Sequence, residues 1–382
     1  MTSVRTLTLA GLQELIDTLA GRGYTVVGPT VVDGAVDYRT VTSVDQLPQG
    51  WGDEQDNAVY RLRRRDDEAV FAFASAAQSA KPVLFPADEL LWRSRAGSPS
   101  PDVDRPPDDE PGPPYAFLGL RSCDLAAIGI HDRVLTGRRV ADAHYAGRRE
   151  DSFLIAVTCT DPAGTCFCVS MDTGPVPREG FDLALTELYA DGPHRFVVEV
   201  GTERGADVLD AVTTVPAPEA DLEAARRAGE RAADRMGRTL DTANLKNILY
   251  DNADSTVWDD VASRCLSCTN CTLVCPTCFC TSITDVSDLT GTTSERHRVW
   301  DSCFSEEYSY IHGGPVREST RSRYRQWMTH KLAAWKDQFG TSGCVGCGRC
   351  ITWCPAGIDI TAEAAELRKV AEHREERKAR QS

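Results

Sequence analysis

At 382 residues, 41% hydrophobic and 26% charged, the chain has the composition of a globular protein. It exceeds the size at which a single core usually stops growing, so at least two domains are expected. The formal net charge of −15 lacks the basic footprint of a nucleic-acid binder and argues against docking on an anionic membrane surface.

The N-terminal stretch MTSVRTLTLAGLQELIDTLAGRG has no signal-peptide core. Leu9, Leu12, Leu15, Ile16 and Leu19 instead follow helical spacing, up to Gly21 and Gly23. Strands are expected at 24–28 and 36–38 around the turn signal Asp33-Gly34, and a further pair at 58–64 and 69–74, turned at Asp66-Asp67. Residues 82–86, between prolines, read as one short buried strand. The proline-rich acidic stretch 96–114 (AGSPSPDVDRPPDDEPGPP) reads as a solvated loop. Apolar strands follow at 115–120, 153–158 and 195–200, with a helix starting near Leu125. From Pro216 the character changes: 217–240 is an Ala-, Glu- and Arg-rich helix, with shorter helices at 245–252 and 255–264. Residues 308–339 look mainly helical, with Tyr324, Trp327, Met328, Leu332 and Trp335 as a packing stripe, and the last twenty form a charged helix. The expected fold is α+β: a mixed α/β domain over 1–215, then an alpha-helical ferredoxin-like dicluster domain over 216–382. No run reaches the about 18–20 apolar residues of a membrane span, and a cytoplasmic protein is expected.

Disulfides are disfavoured in a reducing compartment, and fifteen cysteines, being odd in number, cannot all pair internally. Their spacing explains more. Cys265-x-x-Cys268-x-x-Cys271-x-x-x-Cys275-Pro276 recurs as Cys344-x-x-Cys347-x-x-Cys350-x-x-x-Cys354-Pro355. This is the bacterial ferredoxin run, whose fourth cysteine ligates the other cluster. It assigns Cys265, Cys268, Cys271 and Cys354 to cluster A, and Cys344, Cys347, Cys350 and Cys275 to cluster B, both 4Fe–4S. Structural zinc favours two separated Cys-x-x-Cys pairs and fits less well. Gly343, Gly346 and Gly348 would let the backbone approach closely around the second run. Residues 276–343 separate the runs, far more than a compact ferredoxin needs.

Seven thiols are left. Cys123 and Cys159 each follow an apolar strand, and the carboxyl ends of strands form the crevice of open α/β sheets. With Cys166 and Cys168 they would suffice for a third 4Fe–4S cluster; the alternative is four inert buried thiols. Asp124 reads as a helix cap rather than a ligand. Cys278, Cys280 and Cys303 have no complete ligand set and read as packing. His312 reads as a turn residue, while Arg121 and Arg317 are free to meet a carboxylate or an anion. No nucleotide-binding loop, no Ser/His/Asp pattern and no paired C-x-x-C arms for a nickel–iron centre appear, so no catalytic residue is assigned.

The segments Gly119–Ala127, Thr165-Cys-Phe-Cys168, Cys275-Pro-Thr-Cys-Phe-Cys280, Trp300-Asp-Ser-Cys303 and Cys344-Val-Gly-Cys-Gly-Arg-Cys350 resemble the beta subunit of cytosolic NADP-linked nickel–iron hydrogenases, the sulfhydrogenases. The A subunit of anaerobic sulfite reductase is a related pattern. The resemblance implies a heterotetramer with a flavin- and NADP-binding gamma subunit and the hydrogenase small and large subunits. The clusters of this chain would relay electrons between the flavin and the nickel–iron module. Two other readings stand beside it: a relay subunit of a sulfite or polysulfide reductase, and a self-contained redox enzyme with a substrate site near Cys123 and Cys159.

Overall fold

The computed structural model describes residues 4–96, 113–137, 139–190 and 192–381. The expected loop at 96–114 lies almost wholly outside them. In the N-terminal region the elements are β1 (Arg5–Leu7), α1 (Leu9–Gly21), β2 (Thr25–Val32), β3 (Ala35–Thr40), β4 (Trp51–Asp56), β5 (Val59–Arg64), α2 (Lys81–Leu84), β6 (Asp88–Arg95), β7 (Tyr115–Leu120), α3 (Ser122–His131), α4 (Ala143–Glu150), β8 (Phe153–Val157), β9 (Leu183–Leu188), β10 (Arg195–Val200), α5 (Glu203–Leu209) and β11 (Val215–Pro216). Helix α1 starts where the Thr8 hydroxyl accepts the Gly11 N–H at 3.3 Å, and it buries Leu12, Leu15, Ile16 and Leu19 as the spacing predicts.

Eight strands form one mixed sheet in the order β11-β1-β10-β9-β8-β7-β2-β3. Its centre is parallel: β2 with β7, β7 with β8, and β8 with β9. Parallel strands are covered on both faces, which is why YAFLGL and FLIAV read as unbroken apolar runs. The carboxyl ends of β7 and β8 deliver Cys123 and Cys159 to the same edge.

Two local expectations fail here. Residues 82–86 are not a strand, since Pro82 sits in the first turn of α2, where a missing N–H costs nothing. Residues 69–74 do not pair with 58–64; β5 pairs with β4 instead. The 69–74 segment is buried without a ladder because side chains take its backbone groups. Glu187 accepts the Val70 and Phe71 N–H groups at 2.6 and 2.8 Å, and Asp53 accepts that of Ala74 at 2.9 Å. Arg121 donates to the Phe71 and Phe73 carbonyls, both at 2.6 Å.

The C-terminal region contains α6 (Glu219–Asp234), α7 (Leu245–Asp251), α8 (Val257–Arg264), α9 (Asn270–Leu273), β12 (Thr281–Ser287), β13 (Thr293–Trp300), β14 (Tyr310–Ile311), β15 (Gly314–Pro315), α10 (Thr320–Thr329), α11 (Trp335–Phe339), α12 (Arg349–Thr352) and α13 (Ile360–Ala379). The long connection between the cysteine runs is thus only partly helical. It opens with the β12–β13 hairpin, and residues 308–319 carry a small β14–β15 hairpin before Ser319 caps α10. A π-helical turn, His330–Ala334, joins α10 to α11. The two regions interlock. Strand β6 pairs with β13 in a three-stranded sheet, the Asn57 amide donates to the Gly357 carbonyl at 3.0 Å, and Arg238 bonds both Asp56 and Asp359.

Candidate metal centres

The two cysteine runs fold alike. Helix α8 ends at Cys265, whose sulfur accepts the Ser267 N–H at 3.4 Å, and Cys344 accepts the Gly346 N–H at 3.5 Å. Both loops turn through positive φ at equivalent places, Ser267 and Thr269 in the first, Gly346 and Gly348 in the second. Each then enters a one-turn helix, α9 or α12, and reaches its fourth cysteine. Cys354 accepts the Ile358 N–H at 3.4 Å. Backbone N–H groups directed at sulfur are what a thiolate-bound cluster uses to spread its charge.

Cys265, Cys268 and Cys271 border one cavity, and Cys354 from the other run closes it, beside Phe304, Tyr324 and Trp327. Burial pushes the Cys271 thiol well above its ordinary value, whereas Cys268 is exposed. Beyond burial, Cys275 acts electrostatically on Cys344, Cys347 and Cys350, raising each thiol. Its sulfur lies 3.1 Å from the Thr277 hydroxyl and accepts from the Lys331 ammonium at 3.1 Å. The Cys278 thiol and Lys331 hold Cys275 well below the ordinary thiol range. Burial pushes Cys344 up to about 12.

The four N-terminal cysteines also converge. Cys123, Cys159, Cys166 and Cys168 are all buried and border a single cavity with Arg121, Pro175 and Met236. Cys347 of the second run borders it too. The Cys166 sulfur lies 3.9 Å from the Cys347 carbonyl, and that of Cys168 lies 3.8 Å from the Met236 sulfur. Burial raises each of these four thiols. Among the described residues no three Cys, His, Asp or Glu side chains stand close enough to share one ion. The first run with Cys354, and the four N-terminal cysteines, border cavities, and an all-thiol donor set around a cavity fits an inserted cubane better than a tetrahedral zinc ion.

Gly346 and Gly348 serve a different neighbour from the one expected. A Cβ on Gly346 would stand 2.6 Å from the Phe167 carbonyl oxygen, and one on Gly348 2.4 Å from that of Thr165. The glycines let the second ligand loop lie directly on the Thr165–Cys168 loop, where the Phe167 N–H donates to the Gly346 carbonyl at 2.8 Å. Asp124 is not the N-cap expected: Arg121 holds that position, and Asp124, one turn in, accepts the Arg121 N–H at 3.2 Å. It also pairs at 2.9 Å with Arg349, both side chains being fully buried. Arg121 donates to the Thr158, Phe71 and Phe73 carbonyls. His312 is exposed at the β14–β15 turn. Sequence reasoning missed Lys331, although it lies between Trp327 and Trp335 at helical spacing on the apolar stripe. It also missed Lys81, equally buried, whose pKa burial lowers to about 8.

Residues 264–358 match the family described as a 4Fe–4S dicluster domain. The chain is 33% identical over 263 residues to sulfhydrogenase 2 subunit beta of Pyrococcus furiosus, covering 67% of this chain and 74% of that protein. No solved structure gives a significant match. Among the described residues no helix is long and apolar enough to cross a membrane.

Proposed function

Because this chain belongs to the family of sulfhydrogenase beta subunits, and so is an iron–sulfur electron-transfer subunit of a hydrogenase, we propose that it relays electrons between a flavin- and NADP-binding subunit and the hydrogenase small and large subunits. Cys265, Cys268, Cys271 and Cys354 hold one 4Fe–4S cluster; Cys344, Cys347, Cys350 and Cys275 hold a second; Cys123, Cys159, Cys166 and Cys168 hold a third. When bound, each cubane supplies a site that accepts and releases one electron.

The observation that carries this reading is that cysteines distant in sequence border common cavities. The second set lies between the others: Cys347 borders the N-terminal cavity and Cys350 borders the first run's cavity. The remaining residues hold charge and exclude water. Backbone N–H groups and Lys331 point at the sulfurs, while Phe304, Tyr324 and Trp327 wall the first cavity. Cys268, exposed next to Leu266 at 67% exposure, marks the face nearest solvent. Fifteen free cysteines suit a cytoplasmic, reducing setting.

Iron, acid-labile sulfide and EPR measurements on anaerobically purified protein test the proposal. About twelve irons per chain, or more, are expected at four per cubane, and Cys268→Ala should remove about four of them. Zinc, or no metal, would end it. Affinity capture from the native cell separates the partners: hydrogenase subunits are expected, and a sirohaem protein in their place would redirect the role to sulfite reduction.

A further inference from the structure

The apolar stripe on α10 reads as packing, but two of its members carry polar atoms that the packing does not satisfy. Tyr324 and Trp327 are 2% and 4% exposed. Among the described residues neither the Tyr324 hydroxyl nor Trp327 Nε1 has a hydrogen-bond partner. Buried donors are almost always paired, and one left unpaired destabilises the fold. Tyr38, Tyr145 and Trp258 follow that rule. Tyr38 donates to the Gly119 carbonyl at 2.8 Å, Tyr145 to Asp132 at 2.7 Å, and Trp258 to the Asn252 carbonyl at 2.8 Å.

The two exceptions stand together. They lie one turn apart on α10, with ring centroids 5.4 Å apart, and both border the cavity of Cys265, Cys268, Cys271 and Cys354. Phe304 packs against both rings, and Trp258 packs against Tyr324. At the start of the helix the Thr320 hydroxyl lies 3.2 Å from that of Ser267 in the first ligand loop. Ring packing and this contact fix α10 against the thiols. Among the described residues the cavity lining offers these donors sulfur and the Thr269 hydroxyl, with no carboxylate or amide side chain. Neither donor reaches Thr269.

We propose that Tyr324 and Trp327 donate hydrogen bonds to the sulfurs of the first 4Fe–4S cluster and so raise its potential. The proposal rests on the assignment of that cluster to Cys265, Cys268, Cys271 and Cys354. Sulfur, as thiolate or as cluster sulfide, is then the acceptor that both buried donors lack. The reduced cluster is the more negative and accepts more strongly, so the donors favour reduction. Burial pushes the Tyr324 hydroxyl well above its ordinary value, which keeps the phenol protonated and able to donate.

EPR-monitored redox titration of the anaerobically reconstituted full chain tests the assignment, the first cluster's signal being the one lost in Cys268→Ala. Tyr324→Phe and Trp327→Phe keep an aromatic wall and remove one donor each. Each should lower the reduced-to-oxidised ratio at a fixed potential by about tenfold, a shift of about 59 mV to more negative potential for a one-electron couple. In the wild-type chain, tryptophan isotopically labelled at the indole nitrogen should couple to the same signal in pulsed EPR, a readout that needs no variant to fold. An unmoved midpoint in either variant, or no indole coupling, overturns the proposal while leaving the cluster in place. A chain that binds no iron removes the cluster assignment itself.

Discussion

Lys331 shows what one side chain can add to a thiolate set. Its ammonium donates to the Cys275 sulfur at 3.1 Å and is buried on the π-helical turn. Removing it withdraws a positive charge and a donor from whichever redox state is more negative, the reduced one. Lys331→Met should therefore move the second cluster to a more negative potential, by about 1.5–3 kcal/mol per electron, the range for a hydrogen bond to a charged group. EPR-monitored redox titration reads the shift; an unchanged midpoint would mean the lysine is only structural. Asp124 makes a second test. Asp124→Asn keeps an acceptor for the Arg121 N–H but leaves Arg349 buried as an uncompensated cation. A loss of about 3–5 kcal/mol is expected, seen as a lower thermal midpoint under anaerobic conditions. At this scale the cysteines were legible because their spacing is itself the signal. Lys331, Lys81 and Arg349 were not, because nothing local distinguishes a buried cation from a solvated one.

At the scale of elements, the apolar strands at 115–120, 153–158 and 195–200 were read to within a residue, whereas the fully buried β9 went unread. The misplaced strand arose where side chains replaced a ladder. Residues 69–74 look like a strand because they are buried and apolar, yet Glu187, Asp53 and Arg121 satisfy their backbone from afar. The β12–β13 hairpin went unread because its partner strand, β6, lies some two hundred residues earlier. The contact between the second ligand loop and the Thr165–Cys168 loop is the element-level feature most open to challenge. Gly348 sits at φ +76°, and a methyl group there would strike the Thr165 carbonyl. Gly348→Ala should cost at least about 1–2 kcal/mol for the backbone alone and displace the 165–168 loop. The expected signature is selective loss of about four irons, those assigned to Cys123, Cys159, Cys166 and Cys168. Equal loss from every cluster would argue against a local role for the glycine.

For the whole molecule, acid stability follows from two histidines held neutral inside. Burial lowers the pKa of His131 to about 3 and that of His330 to about 4. An unfolded histidine titrates near 6.5, so above that pH neither state carries the charge and no stability depends on it. As the pH falls below about 6.5, the unfolded chain takes up protons that the folded chain refuses, and stability declines until the folded values are reached. Between about pH 6 and 4.5 the slope should approach two protons. The double variant His131→Gln, His330→Gln should show a flatter thermal midpoint against pH in that window; a profile parallel to wild type would contradict the assignment. The expected division at residue 215 captures the change in composition, but it does not convey how closely β6, Asn57, Asp56 and Arg349 bind the halves. Those contacts join residues that sequence windows never view together.

The proposed ligand sets take the sulfur that closes each ferredoxin-type cluster from the opposite run, and this sets a constraint in time as well as in space. While the ribosome has released the chain only through Cys275, one group of three thiols lacks its closing partner, and Cys275 waits for three that do not yet exist. Neither group can reach four until residues 344–354 emerge. Metal delivered earlier would find only half-built coordination, so the proposed sets require both runs to be synthesised before either cluster can close.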